Sequence, residues 1–355
     1  MMHLRLERRS TTPAWFNLAL PLAALAATLI LCSGLVALAG ANVFDAYAQL
    51  FLTPFSTGFD LEQTAIKAAP LVLTGLAVAV AFRARFWNIG GEGQLYAGAM
   101  AAAFFGAQLW LPVPLLWPAM ILFGAATGAA WALLAAFLRT RFKVDDVVTT
   151  LLLNFVLLYG MSALLDGPWK NPRSAYPTSP PIRVEAEFPI LPGTEQLHLG
   201  VVLALLAVPI VWFVLSRTTF GFAIKAVGEN ARAAAYAGIS TARTILATAA
   251  LSGALAGLAG VGQVGGVHYQ VMADLSPGYG YTGIVIAMLA RLSPLGVLPA
   301  AIFYAAMITG AEGMSRATGV PVFLADVIQG VSLLAMLTAL LFTQYRLRVA
   351  KPHHA

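Results

Sequence analysis

Residues 86–94 read Phe-Trp-Asn-Ile-Gly-Gly-Glu-Gly-Gln, setting two amides and a carboxylate among three glycines. Asn88 and Gln94 can each donate and accept hydrogen bonds, and Glu92 carries a charge. Apolar stretches at 68–82 and 95–111 flank this box on both sides. In a bilayer such residues are costly and face a cavity or a partner rather than lipid. Glycine-rich backbone between two spans is tolerated only where it is covered or lines water. The box therefore marks a place where something crosses the membrane or is gripped within it.

Other chemistry is sparse. HExxH, a GxSxG motif with partners, the phosphate-cradling GxxxxGK[ST] loop and a Cys/His cluster with metal-ligand spacing are all missing from the sequence. The single cysteine, Cys32, excludes an intrachain disulfide. Of five histidines, His3, His353 and His354 fall in the tails, while His198 and His268 lie near span ends. The expectation is a chain that is not an enzyme, binds no metal and holds no cofactor of its own.

The elements that position the box follow from composition. The chain has 355 residues, 59% hydrophobic and only 10% charged, with a mean hydropathy of +0.80. Soluble domains carry about a quarter charged residues, so this is an all-α polytopic membrane protein. The net charge of +6 does not indicate nucleic-acid binding, because the basic residues sit in short loops beside apolar spans. About 20 apolar residues cross a bilayer as a helix. Ten stretches fit, at 16–39, 64–82, 93–111, 114–138, 145–165, 197–216, 242–267, 280–291, 294–311 and 321–343. The eighth and ninth are short, and could be tilted helices or a re-entrant hairpin. An interfacial helix is expected around 43–52. With ten transmembrane helices and both termini cytoplasmic, 16 of the 21 Lys and Arg residues fall inside and 5 outside, as the positive-inside rule requires.

The domain plan is then a cytoplasmic tail at 1–15, a single transmembrane domain at 16–345 and a cytoplasmic tail at 346–355. The first apolar run reads as a retained helix rather than a cleaved signal peptide. Proline-rich residues 167–196 form an external loop, and 217–241 a cytoplasmic segment. The order of basic residues puts the box just after Arg83 and Arg85, predicting a position near the internal mouth. Glu92 reads as a helix-start acid favoured by the dipole, paired with Arg83 or Arg85, or as a solute contact. For Asp145 and Asp146 the same dipole accounts for both acids. Gly253 with Gly257, and Ala256 with Gly260, give small-xxx-small spacing suited to close helix packing.

Segment 217–241 is the second informative feature. Gly228-Glu229-Asn230 interrupts it, Asn230 can cap a short helix over 231–237, and Gly238 can end that helix. The result is either a compact knob on the cytoplasmic face, able to fit a groove on a partner, or an ordinary loop.

Five stretches occurring in order carry a resemblance to a known family: FWNIGGEGQLYAGA at 86–99, DDVVTTLLLNF at 145–155, FGFAIKAVGENARAAAYAGIS at 220–240, GYGYTGIVIAMLARLSPLG at 278–296 and VPVFLADVIQG at 320–330. Together they resemble the permease subunits of bacterial ABC importers in the branched-chain amino acid/ribose-type superfamily, over about residues 60–345. Within it, the FNIGGEGQ box is most similar to the nucleoside-type subfamily, with Trp87 added. Ribose-type members carry an acidic, glycine-rich box there, so Asn88, Glu92 and Gln94 argue for nucleosides over plain sugars.

The resemblance implies a non-catalytic subunit of a bacterial cytoplasmic (inner) membrane importer. Its implied partners are a second permease subunit (a paralogue or an identical copy), cytoplasmic ATPase subunits that use ATP and Mg, an external solute-binding protein and membrane lipid. Gly228, Glu229, Asn230, Ala234, Ala235, Tyr236 and Gly238 would belong to the coupling segment that docks on the ATPase. Asn88, Glu92, Gln94, Asn154 and Gln263 would line the solute pathway, where amides suit ribose hydroxyls and base edges. The rival reading is an ion-coupled secondary transporter using Glu92 or Asp326, which would have no need of segment 217–241.

Overall fold

The computed structural model describes residues 3–8 and 16–350. Among these, thirteen α-helices follow a first strand, β1 (His3–Arg8). They are α1 (Phe16–Leu38), α2 (Val43–Leu52), α3 (Gly58–Arg83), α4 (Gly91–Gly106), α5 (Val113–Phe142), α6 (Asp146–Asp166) and α7 (Leu199–Arg217). Then come α8 (Thr219–Glu229), α9 (Ala231–Tyr236), α10 (Thr241–Gln263), α11 (Tyr279–Leu289), α12 (Pro294–Thr318), α13 (Val322–Gln344) and a last strand, β2 (Tyr345–Ala350). Each of the ten apolar stretches coincides with one helix, and α2 falls where the interfacial helix is expected. Six helices among the described residues are long and apolar enough to cross a membrane, and the bent α1–α2 pair is a seventh candidate. The short eighth stretch is the eleven-residue α11, whereas α12 runs on to Thr318, past the expected end at 311.

The chain divides into two compact units. One gathers the two ends of the chain, up to Asp60 and from Ala306. In it α1 packs along α13, and β1 pairs antiparallel with β2, His3 opposite Ala350 and Arg8 opposite Tyr345. This ladder is the one departure from an all-helical chain among the described residues, and it ties parts of both expected tails together. Arg9, Lys351, His353 and His354, in those same tails, lie outside the described residues. The 120° bend between α1 and α2 is set by Asn42, whose Oδ1 accepts the Phe44 N–H at 2.9 Å and caps α2.

The other unit, Leu61–Ala305, holds the box. At its centre α4, α5 and α10 pack on one another. The small-xxx-small spacing is used as expected: a Cβ at Gly257 would overlap the Gly124 carbonyl of α5. Only hydrogen at that position lets the two backbones touch. Outside α10, the proline-rich loop is fastened down by main-chain bonds, Ser179 N–H to Val271 O (2.9 Å), Ile182 N–H to Tyr269 O (2.8 Å) and Phe188 N–H to Gly265 O (2.7 Å).

Two helices of this unit are too short to cross a bilayer alone. At 1.5 Å per residue, α4 is roughly 24 Å long and α11 roughly 16 Å. Both begin halfway along their neighbours. Asn88, just before α4, meets Ser252, the twelfth of 23 residues in α10. Gly283, early in α11, packs on Thr74 in α3, and by the end of α11 Leu292 O has reached the Arg83 Nε–H at 3.0 Å. The box therefore runs from Trp87, bonded to Asp146 at the start of α6, to Asn88 and beyond, which meet the middle of α10. After α3 ends, residues 84–90 turn back along it before α4 starts, which a linear reading of spans does not reveal.

Candidate functional site

The box begins where α3 stops. Arg85 takes a left-handed conformation (φ 53°) and turns the chain, after which residues 86–90 run without helical bonds. Asn88 organises this stretch. Its Oδ1 accepts from Gly90 N–H (3.0 Å) and from Gln94 Nε2 (2.8 Å), and its Nδ2 donates to Gln94 Oε1 (2.9 Å) and Ser252 Oγ (2.9 Å). Ser252 in turn donates to Ala77 O at 2.7 Å, joining α10 to α3. The two amides therefore form a reciprocal pair that closes the turn across the start of α4.

Asn154, eight residues into α6, clasps the same turn. Its Nδ2 donates to Ile89 O (3.0 Å) and to the Tyr281 hydroxyl (3.2 Å), and its Oδ1 accepts from Gly93 N–H (2.8 Å). Thr150, one turn earlier, accepts from Ile89 N–H at 3.1 Å. Asp145 caps α6 by accepting Val148 N–H at 3.0 Å, as the dipole argument requires. Asp146 does something that argument does not cover. It accepts Trp87 N–H at 2.6 Å and pairs with Arg139, which also donates to Arg85 O at 2.8 Å. A second acid, where one suffices for a cap, is the sequence signal that could have pointed to this role.

Glu92 sits in the first turn of α4, buried, with Oε2 accepting Gly280 N–H at 2.7 Å and a further bond to the Ser276 side chain. Gly280 is in the first turn of α11, so the carboxylate lies between two helix N-termini whose partial positive charges face it. That arrangement replaces the expected ion pair with Arg83 or Arg85, which is not formed among the described residues. Tyr96, one turn on, fixes the approach to α11 by donating to Ala273 O (2.7 Å) and accepting Ser276 N–H (3.1 Å). Sequence reasoning passed over Tyr96, Ser252, Ser276 and Tyr281, whose single hydroxyls carry no motif.

Asn88, Glu92, Gln94 and Asn154 are thus one cluster. Gln263 is not part of it, lying eleven residues beyond Ser252 on α10, roughly 16 Å away by helical rise. It is buried close to Gly262, which faces Gly200 at the start of α7. A cavity of about 700 Å³ between α4, α5 and α6 is apolar, and none of the five residues lines it. In this conformation the four clustered residues spend their hydrogen bonds on one another, on backbone and on the hydroxyls of Ser252, Ser276 and Tyr281, binding α3, α4, α6, α10 and α11 around one polar centre.

Segment 217–241 forms two short helices, α8 and α9, separated at Asn230. Asn230 Oδ1 accepts from Arg232 N–H (3.0 Å) and Ala233 N–H (3.1 Å), and Gly238 (φ 83°) ends the helix at α9. Ala234 faces inward, whereas Ala235 is exposed and Tyr236 is 95% exposed. Gly228 seats α8 on the end of α3, where a Cβ would overlap the Arg83 carbonyl. Glu229 is exposed beside it.

Broken helices meeting at a buried polar centre, within a set of long apolar helices, define a multi-pass membrane transport protein. The family model described as "branched-chain amino acid transport system / permease component" matches residues 61–337, and the chain belongs to that family of ABC transporter permeases of the cytoplasmic membrane. It is 36% identical to the glucose ABC transporter permease protein TsgB13 of Haloferax volcanii, covering 98% of this chain and 94% of that one. The guanosine ABC transporter permease protein NupP of Bacillus subtilis is 32% identical over 90% of this chain and 92% of its own. The nucleoside ABC transporter permease protein NupB of Lactococcus lactis is 33% identical over 79% and 80%. No solved structure matches the chain.

Proposed function

We propose that this chain is one transmembrane subunit of an ATP-driven importer for nucleosides or a related sugar-containing solute. The carrying observation is the α8–α9 segment: a capped, outward-facing knob whose base at Gly228 rests directly on the end of α3. From there Arg139 links Arg85 O to Asp146, and Asp146 accepts the Trp87 N–H of the box. A push on the knob thus has a short rigid route to the polar centre. The knob would dock on a cytoplasmic ATPase subunit, which hydrolyses ATP with Mg while this chain performs no catalysis. A second permease subunit and an external solute-binding protein would complete the assembly, in keeping with relatives whose names describe guanosine, nucleoside and glucose ABC permeases.

The ten-span arrangement with both termini cytoplasmic has two supports. Pairing of β1 with β2 supports ends on one side and hence an even number of crossings. The loops before α4 and α11 supply the half-crossings that these short helices lack. The solute path would open beside Asn88, Glu92, Gln94 and Asn154, with Gln263 further along α10, once the segments they join move apart.

The test is uptake in vesicles with the cognate ATPase and binding protein. Uptake should require ATP, and Tyr236→Asp should weaken ATPase association roughly tenfold or more while leaving the melting temperature unchanged, as for loss of an exposed anchor. Uptake driven by an ion gradient without an ATPase would sink the importer reading. The ligand co-purifying with the binding protein, read by mass spectrometry, should contain a nucleoside; glucose alone would overturn that part.

A further inference from the structure

A cleft of about 420 Å³ opens where α3 and α11 end and α8 crosses them. Arg83, Arg85, Lys225 and Arg291 line it, with Glu229 as the one carboxylate. None of these four cations forms an ion pair among the described residues; Arg83 gives its Nε–H to Leu292 O instead. Four cations against one anion leave an excess of positive charge in a partly enclosed space, where like charges repel more strongly than in water.

The backbone shows that this charge is held at a cost. Both helices end in the same two-bond turn: Arg85 N–H to Phe82 O with Phe86 N–H to Ala81 O, and Arg291 N–H to Met288 O with Leu292 N–H to Ala287 O. The pivotal residue of that turn is left-handed, and glycine fits it best. The turn recurs after α1 and after α9, and there the pivots are Gly40 (φ 82°) and Gly238 (φ 83°). At the two turns that face the cleft the pivots are Arg85 and Arg291, each at φ 53°. A favourable helix dipole does not explain the difference, because all four helix ends offer one. Backbone strain of this kind gathers at ligand-holding sites.

Residue types found at membrane interfaces flank the cleft. Leu215 lines it from α7, between Trp212 and Arg217, whose guanidinium lies 6.0 Å from the Trp212 ring centre. Tryptophan and arginine pair in this way at membrane interfaces. On α8, Phe222 is 67% exposed one turn from Lys225, so the helix presents an aromatic ring and a cation side by side, as interfacial helices do.

We propose that this cleft binds the phosphate of an anionic phospholipid headgroup, with the arginines and Lys225 around the phosphate and Phe82 and Ile224 beneath the glycerol. An acidic protein surface is a poorer match, since the cations line a concavity rather than a raised face. The proposal does not depend on the solute carried, and it shares α8 with the segment proposed to dock on the ATPase, so lipid retention and ATPase association are read separately.

The experiment places purified protein in phosphatidylcholine nanodiscs holding a minor fraction of phosphatidylglycerol, then counts retained lipids by native mass spectrometry. Wild-type protein should retain phosphatidylglycerol selectively. Arg85→Gly and Arg291→Gly should each weaken retention roughly fivefold, and together roughly 25-fold. Because glycine relieves the left-handed strain, both variants should melt at or above the wild-type temperature, which separates lost binding from lost fold. Lys225→Gln, an exposed helical change, should weaken retention without touching either turn. Equal retention by wild type and the double variant overturns the proposal. So does competition by inorganic phosphate as effective as by short-chain phosphatidylglycerol, which would show a free-anion site. Unchanged lipid retention with weakened ATPase association would overturn it in favour of a protein partner.

Discussion

The polar box and the basic cleft lie at opposite ends of one short stretch of chain, yet they treat polar groups in opposite ways. In the box each amide of Asn88, Gln94 and Asn154 is partnered, and Glu92 is held by the start of another helix. In the cleft four cations line one space without an ion pair. Burial explains the contrast. An unpartnered group buried away from water costs the full loss of solvation, whereas a cation lining an open cleft keeps solvent. In this conformation the box residues fasten helices together, and the cleft cations are the ones left without a partner.

The strongest way to break this comparison is Asn88→Leu. The change strands the Gln94 amide and the Gly90 N–H and removes a donor to Ser252, each buried orphan costing about 1–3 kcal/mol. The expected outcome is a large drop in thermal stability in detergent together with loss of uptake. A variant that melts normally but transports nothing would instead make Asn88 a solute contact. A smaller effect is expected for Glu92→Gln. The amide oxygen can still accept Gly280 N–H, so only the charge facing two helix starts is lost, about 1 kcal/mol. Transport should persist at a reduced rate. Abolished transport with unchanged melting would show that the charge itself acts on the solute or on a proton.

Much of this architecture is legible in the sequence, for physical reasons that also mark where legibility ends. Hydrophobic length reveals helices wherever a crossing is made by helix alone, and Asn230 and Gly238 announce the ends of α9 because capping is local chemistry. The box is legible as polar and glycine-rich, but its path is not. Residues 84–90 double back along α3, and a stretch returning through protein rather than lipid leaves no hydropathy signal. Asp146 is misread for a related reason: its partners Trp87 and Arg139 come from other helices, while the dipole argument sees only its own. Gln263 resembles the box amides in type, and only the packing of α10 shows that it lies elsewhere.

His198 provides the smallest test, because, like Thr64, Thr178 and Thr309, it has a buried polar atom without a partner among the described residues. It caps α7 with Nδ1 accepting Gly200 N–H at 3.1 Å, which leaves the proton on Nε2, and Nε2 is buried without a partner among the described residues. His198→Asn retains an acceptor for Gly200 N–H, so the cap stays and only the unpartnered ring N–H is lost; the variant should lose no more than about 1 kcal/mol, read as melting temperature in detergent. A loss several times larger would mean that Nε2 has a partner in the assembled protein.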